Sequence, residues 1–149
     1  MHKRDLHTHL MYASRKAGLG KLAYYLLKLL GAEVPPSVKL GKDCLLVHGG
    51  FGVVIHPATQ IGRRAKIYPG VTLGRADIHR PAHLSAFSGI KIEDDVILAP
   101  GAKVLGKAGV LTLAAGTVLG ANAVLLESTG PNEIWAGVPA KRVGTRSEA

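Results

Sequence analysis

Cysteine is nearly absent from this chain: Cys44 is the only one. An internal disulfide framework and any multi-cysteine metal site are therefore excluded. Aromatic residues make up 5% of the 149 residues, too few for the stacking platforms that single-stranded nucleic acid requires. Long apolar runs are missing as well. The longest extends from Leu22 to Leu30 and is broken by Lys28, whereas a spanning helix takes about 20 apolar residues. Membrane insertion is not expected. The first residues are polar and His-rich, without an apolar h-region or a small-residue cleavage site, so no signal peptide is read and the expected compartment is the cytoplasm. Basic residues come singly or in pairs, as in Lys3-Arg4 and Arg63-Arg64, never as a long block. They nevertheless outnumber acidic residues 19 to 10, a formal net charge of +9. That balance favours anionic partners. With so few aromatics, nucleic acid fits poorly and a phosphate-bearing small molecule fits better. Hydrophobic residues at 47% against charged residues at 19% rule out wholesale disorder, and the length suits one domain.

What the chain does contain is a repeat. From Val34 onward, aliphatic residues recur every six positions, each followed four places later by a small residue. Val34 pairs with Val38, Leu40 with Cys44, Ile55 with Thr59, Ile61 with Ala65 and Ile67 with Val71. Further on, Ile92 pairs with Val96, Leu98 with Ala102, Val104 with Ala108, Leu113 with Thr117 and Leu119 with Ala123. A period of six fits neither the 3.6 of a helix nor the 2 of a strand. It fits a parallel β-helix, in which three short strands and three sharp turns make one coil and the coils stack to bury a continuous interior. An ordinary β-sandwich is the alternative; regular spacing and the lack of Asn-Gly hairpin signals argue against it.

Three interruptions predict loops on the solenoid surface. Leu46 to Ile55 is too long for one period and carries His48-Gly49-Gly50-Phe51-Gly52; Gly74 to Lys91 is a long excursion containing Asp77, His79, Arg80 and His83; Gly106 to Thr112 is a small bulge. Binding residues collect on such loops. Ahead of the repeat, Leu19, Leu22, Leu26 and Leu29 follow helical spacing, with Gly31 and Pro35-Pro36 as stop signals. We read a helix over Leu19 to Leu30 that caps the open end of the solenoid and hides Leu22, Leu26 and Leu29; a membrane-surface helix is the alternative. His2, His7 and His9 are expected to be solvated. Cys44 falls in a core phase and behaves there as a small hydrophobe.

With these residues the chain resembles the hexapeptide-repeat acyltransferases, and within them the serine acetyltransferase-like branch. The resemblance runs from about Glu33 to Gly144 and is carried by His48-Gly-Gly-Phe-Gly-Val-Val-Ile-His-Pro, Gly70-Val-Thr-Leu-Gly and Ala136-Gly-Val-Pro-Ala-Lys-Arg-Val-Gly144. It implies an all-β fold, a left-handed parallel β-helix of hexapeptide repeats with a short N-terminal α-helical segment. It also implies a homotrimer with active sites between subunits, and acetyl transfer from acetyl-CoA to a small-molecule hydroxyl or amine with no metal. The expected division is a helical cap over residues 1–33, a β-helix domain over 34–144 with a protruding loop 74–91, and a tail over 145–149.

An alcohol attacking a thioester needs a positioned base, and histidine can take that proton and return it to the leaving thiolate. His48 matches the catalytic histidine of the family. Glu33, fifteen residues upstream and about one coil away, matches the aspartate that orients the ring; its longer side chain leaves a merely solvated role open. By motif match the pantetheine arm of the CoA would run near Gly74, Arg75, Pro100 and Ala121, with its phosphates near Lys141 and Arg142. Pro100 offers no backbone N–H there. Val47 stands where serine acetyltransferases carry a substrate-binding aspartate, and Gly89 where they carry a histidine. Those departures favour a sugar or polysaccharide precursor as acceptor, with serine O-acetylation as the alternative. Two further readings are a metal-holding solenoid like the γ-class carbonic anhydrases, drawing on His48, His56, His79 and His83, and a non-catalytic solenoid.

Overall fold

The structure is a computed structural model and describes residues 5–147; His2 lies outside them. Two helices, α1 (Leu6–Ala13) and α2 (Gly20–Leu29), precede fourteen short strands. The strands are β1 (Lys39–Leu40), β2 (Leu45–Leu46), β3 (Val54–Ile55), β4 (Thr59–Ile61), β5 (Lys66–Ile67), β6 (Thr72–Arg75) and β7 (Phe87–Ile92). They continue as β8 (Ile97–Leu98), β9 (Lys103–Gly106), β10 (Gly109–Leu113), β11 (Val118–Leu119), β12 (Val124–Leu125), β13 (Glu133–Ala136) and β14 (Lys141–Thr145). Each of the first strands pairs in parallel with the strand three places on, giving three sheets ordered β1-β4-β7-β10, β2-β5-β8-β11-β13-β14 and β3-β6-β9-β12. That connectivity is a three-sided parallel coil. Among the described strands only β13 and β14 pair antiparallel.

The six-residue period is the period of the walls. Ile55, Ile61, Ile67, Leu73, Ile92, Leu98, Val104, Leu113, Leu119 and Leu125 all point inward and are buried, as are the small partners Ala65, Val71, Val96, Ala102, Thr117 and Ala123. Cys44 is buried among them, and burial pushes its thiol pKa up. Ala108 departs from the pattern: β9 continues to Gly106, so Ala108 falls in the exposed bulge before β10.

At one corner Asp43, Arg64, Asp95, Gly116 and Asn132 share a left-handed backbone and stack coil upon coil. Side chains lace this column: Arg63 meets Asp94 at 2.8 Å and Arg64 meets Asp95 at 2.5 Å. At another, Gly70 and Gly101 are left-handed and their backbones touch closely; a Cβ on Gly101 would collide with Asn122 Oδ1.

The N-terminus corrects two expectations. Sequence periodicity missed α1, which begins where the Asp5 side chain accepts from Thr8 N. α2 forms as expected, but with the opposite face inward: Gly20, Ala23 and Leu27 are buried, while Leu22, Leu26 and Leu29 are exposed. The helix is apolar on both arcs, so its periodicity could not name the inner one. α1 supplies much of the covering instead, with Met11 fully buried beside Leu27 in the core. Arg15 ties the pair to the first coil through the carbonyls of Val38 and Pro35, and burial pulls its pKa down to about 10. The expectation for His7 also changes. It is half-buried with its ring edge-on to Phe51, whereas His9 is exposed.

Candidate active site

Leu46 fills the interior and the next inward aliphatics are Val53 and Ile55, so the chain must discharge extra residues at the corner between β2 and β3. It does so as a 3-10 turn over Val47–Gly50, in which His48 adopts φ 50°, ψ 37° and Gly49 φ 77°. Left-handed backbone is uncommon for a residue with a Cβ, and the glycines after it allow the reversal. His48 is exposed, with its ring edge-on to Tyr68 at 6.1 Å.

α1 holds this turn from both sides. Gly49 N donates to Asp5 Oδ2 at 2.9 Å and Leu46 N donates to Thr8 Oγ1 at 3.0 Å. The His7 ring would lie 3.0 Å from a Cβ on Gly49. Sequence reasoning named neither Asp5 nor Thr8. The available signal was an Asp directly before Leu6 and Leu10, an N-cap pattern.

Glu33 sits on the first coil, where its backbone bridges in parallel to Val54. Its carboxylate accepts from Lys28 Nζ at 2.9 Å and from Tyr24 OH at 3.3 Å. Among the described residues no hydrogen bond joins Glu33 to His48.

The cofactor candidates divide between two edges. Leu46, Ile67, Leu98, Leu119 and Trp135 stack in register, so the residues just after them form one corner. His48 tops that corner, exposed Pro100 and Ala121 follow below, and exposed Lys141 pairs with Ala136 at the bottom. Five strand steps of about 4.8 Å separate the β2 level of His48 from Lys141 on β14, about 24 Å. Arg142 is engaged: Glu133 Oε1 lies 3.3 Å from its Nε. Gly74 and Arg75 lie at the far end of β6, toward the next corner. One chain does not bring them to His48.

The long excursion is shorter than expected, Ala76 to Ala86 instead of Gly74 to Lys91, because β6 runs on to Arg75 and β7 starts at Phe87. Ser85 and Arg75 hold the Asp77 carboxyl below its usual range, and Arg75 Nη2 donates to Arg80 O at 3.0 Å. A hollow of about 280 Å³ opens there, lined by Asp77, His79, Arg80 and Lys107. His56 packs edge-on against Phe87 at 5.0 Å and its Nδ1 faces Ala58 N at 3.1 Å. Burial and the nearby Arg75 charge push its pKa down, which keeps the ring neutral near pH 7. Among the described residues no three His, Cys, Asp or Glu side chains are grouped to hold a metal, so His48, His56, His79 and His83 do not come together within one chain. Nor is any helix among them long and apolar enough to cross a membrane.

No family model matches the chain. Individual proteins do. A serine acetyltransferase of Staphylococcus xylosus is 34% identical over 133 residues, 89% of this chain and 57% of that protein. Among solved structures, the serine acetyltransferase of Vibrio cholerae O1 biovar El Tor N16961 superposes with a TM-score of 0.73 at 25% identity, over 96% of this chain and 53% of that one. The serine acetyltransferase of Brucella abortus strain S19 in complex with coenzyme A gives 0.72 at 25% identity, over 95% and 54%. Coiled architecture and sequence together define a hexapeptide-repeat protein. Within that class the chain is serine acetyltransferase-like, and it spans between half and three-fifths of the length of the relatives it matches.

Proposed function

We propose that the chain is an acetyl-CoA-dependent O-acetyltransferase acting as a homotrimer, with His48 as general base and no metal. The observation that carries this reading is the division of candidate residues between two edges of one prism. His48, Pro100, Ala121 and Lys141 lie along one, and Gly74 and Arg75 lie toward the other. An acetyl-CoA that meets both sets has to lie between two copies. Lys141 would offer a point charge to a CoA phosphate, with Arg142 joining if it exchanges Glu133 for that phosphate. We infer left-handed winding, as the resemblance implies, and a cytoplasmic site of action, where acetyl-CoA is made. We also keep residues 1–33 as a cap unit and residues 34–144 as the acyltransferase unit.

In the proposed reaction a ring nitrogen of His48 removes the proton from the acceptor hydroxyl as its oxygen attacks the thioester carbonyl. The tetrahedral intermediate collapses to the acetyl ester, and the expelled CoA thiolate takes the proton back from the imidazolium. Glu33 would orient the ring by leaving Lys28 and Tyr24. Lys28 is a half-exposed partner, so the exchange costs little.

Serine is the acceptor we favour, since the relatives are serine acetyltransferases. One observation favours the second reading, a sugar or polysaccharide-precursor hydroxyl. A Cβ on Gly89 would lie 2.5 Å from Ala58 O, with φ at +155°. The histidine that the resemblance expects at this position has no room, and Val47 supplies no carboxylate for an amino group. Thiol release from acetyl-CoA, measured with the full chain against serine and a panel of sugars, decides between them. Failure to bind acetyl-CoA in calorimetry would overturn both.

A further inference from the structure

We propose that the outward face of α2 is a docking surface for an anionic lipid bilayer. The helix turns Ala23 and Leu27 into the protein and leaves the opposite arc in water: Leu19 is 78% exposed, Leu22 55%, Tyr25 64% and Leu29 82%. Helical spacing makes these side chains, with Leu26, one continuous strip. The strip widens at its C-terminal end, where exposed Phe51 comes within 3.6 Å of a Cβ on Gly31. Exposed apolar strips of this kind mark interaction sites.

The charge around the strip names the occupant. Of the four basic residues of the two-helix segment from residue 5 to residue 32, Arg15 is held by the carbonyls of Val38 and Pro35 and Lys28 is paired with Glu33, the acid that follows the segment. That leaves exposed Lys16 and Lys21 as its free cations; Asp5 is the segment's only acid. Both Asp5 oxygens are already used, on Thr8 N and Gly49 N. No free carboxylate of the two-helix segment therefore faces solvent beside the strip, while Lys21 is exposed on the edge next to Tyr25. Apolar residues in the middle, Tyr at the edge and lysines beyond are the pattern of a helix lying in the headgroup plane. α2, with 10 residues, is too short to span and long enough to lie flat. A second copy docked face to face would set lysines against lysines, whereas anionic headgroups pair with them. The docking does not depend on the acyl-transfer reading.

Flotation of the full chain with phosphatidylcholine vesicles, with and without phosphatidylglycerol, tests the proposal. The parent should float with the phosphatidylglycerol vesicles at low salt and release at high salt. Lys16→Glu/Lys21→Glu should weaken partitioning by about tenfold or more. Leu22→Ser/Leu29→Ser should abolish flotation while leaving circular dichroism and thermal midpoint unchanged, because neither side chain is in the core. The proposal is overturned if the parent fails to float at low salt or if the leucine variant floats equally well. A drop in oligomer mass of the leucine variant in light scattering would also overturn it, by assigning the strip to a second copy.

Discussion

Asp5 performs two tasks with one carboxylate, and they can be separated. Its Oδ1 caps α1 at Thr8 N and its Oδ2 holds Gly49 N, one residue past His48. Removing the cap costs about 1 kcal/mol. Gly49 is buried, so its N–H would be left without a partner, costing about 1–3 kcal/mol more. Asp5→Ala should therefore lower unfolding free energy by about 2–4 kcal/mol. Asn caps a helix as well as Asp does, but its amide nitrogen cannot accept from Gly49. Asp5→Asn should retain the cap share and lose the Gly49 share. Urea denaturation reads the stability of both variants, and thiol release from acetyl-CoA reads turnover. Both variants free the His48 turn, so turnover should fall in both while the KM for acetyl-CoA changes little. An Asp5→Ala protein within about 0.5 kcal/mol of the parent, the range of neutral surface changes, would refute this account of the turn. So would Asp5→Asn with parental turnover.

His48→Ala should fold normally and lose about 10²–10⁴-fold in turnover, with acetyl-CoA affinity in calorimetry nearly unchanged. Gly101→Ala forces a Cβ into a left-handed corner against Asn122 and should destabilise by about 1–2 kcal/mol in denaturant titration. Leu98→Ala, at the centre of the interior, should cost about 2–5 kcal/mol in the same assay. Gly130 N–H and the Trp135 indole hold Glu133 below its ordinary 4.5, and Asp94 and Asp95 are lowered by Arg63 and Arg64. Their folded values lie under their unfolded ones, so this stabilisation is complete above the ordinary carboxylate range and is lost as pH falls through the folded values. The thermal midpoint should drop on that acid limb, and Glu133→Gln should flatten it.

The coil walls were legible because an inward position every six residues leaves a mark that composition cannot imitate: Ile55, Ile61 and Ile67 are each a wall residue and each buried. His48 was legible as an extra residue in that rhythm. α1 was not, since its 8 residues open on alternating Leu, His and Thr before Met, Tyr and Ala, and its place depends on Asp5 and Thr8 meeting groups more than thirty residues away, Gly49 and Leu46. The inner arc of α2 was not legible either, because Leu22 and Leu27 are equally apolar and only the neighbouring coil distinguishes them. The separation of Gly74 and Arg75 from the His48 edge depends on which corner each turn occupies, a property of the winding and not of any local motif.

The three-places-on pairing also dictates how this chain can fold. Parallel partners are sixteen residues apart at the closest, Val118 opposite Ile134, and thirty-one at the farthest, Lys66 opposite Ile97. No parallel strand can find its partner until a full turn of chain has been laid down, so loop-closure entropy is spent before any ladder bond repays it. The β13–β14 hairpin is the exception among the described strands, with Ala136 opposite Lys141. It closes within a few residues and offers a ready edge to β11. Winding from that end, each completed turn becomes the template for the one above it, and α1 and α2 can dock only when the last turn is in place.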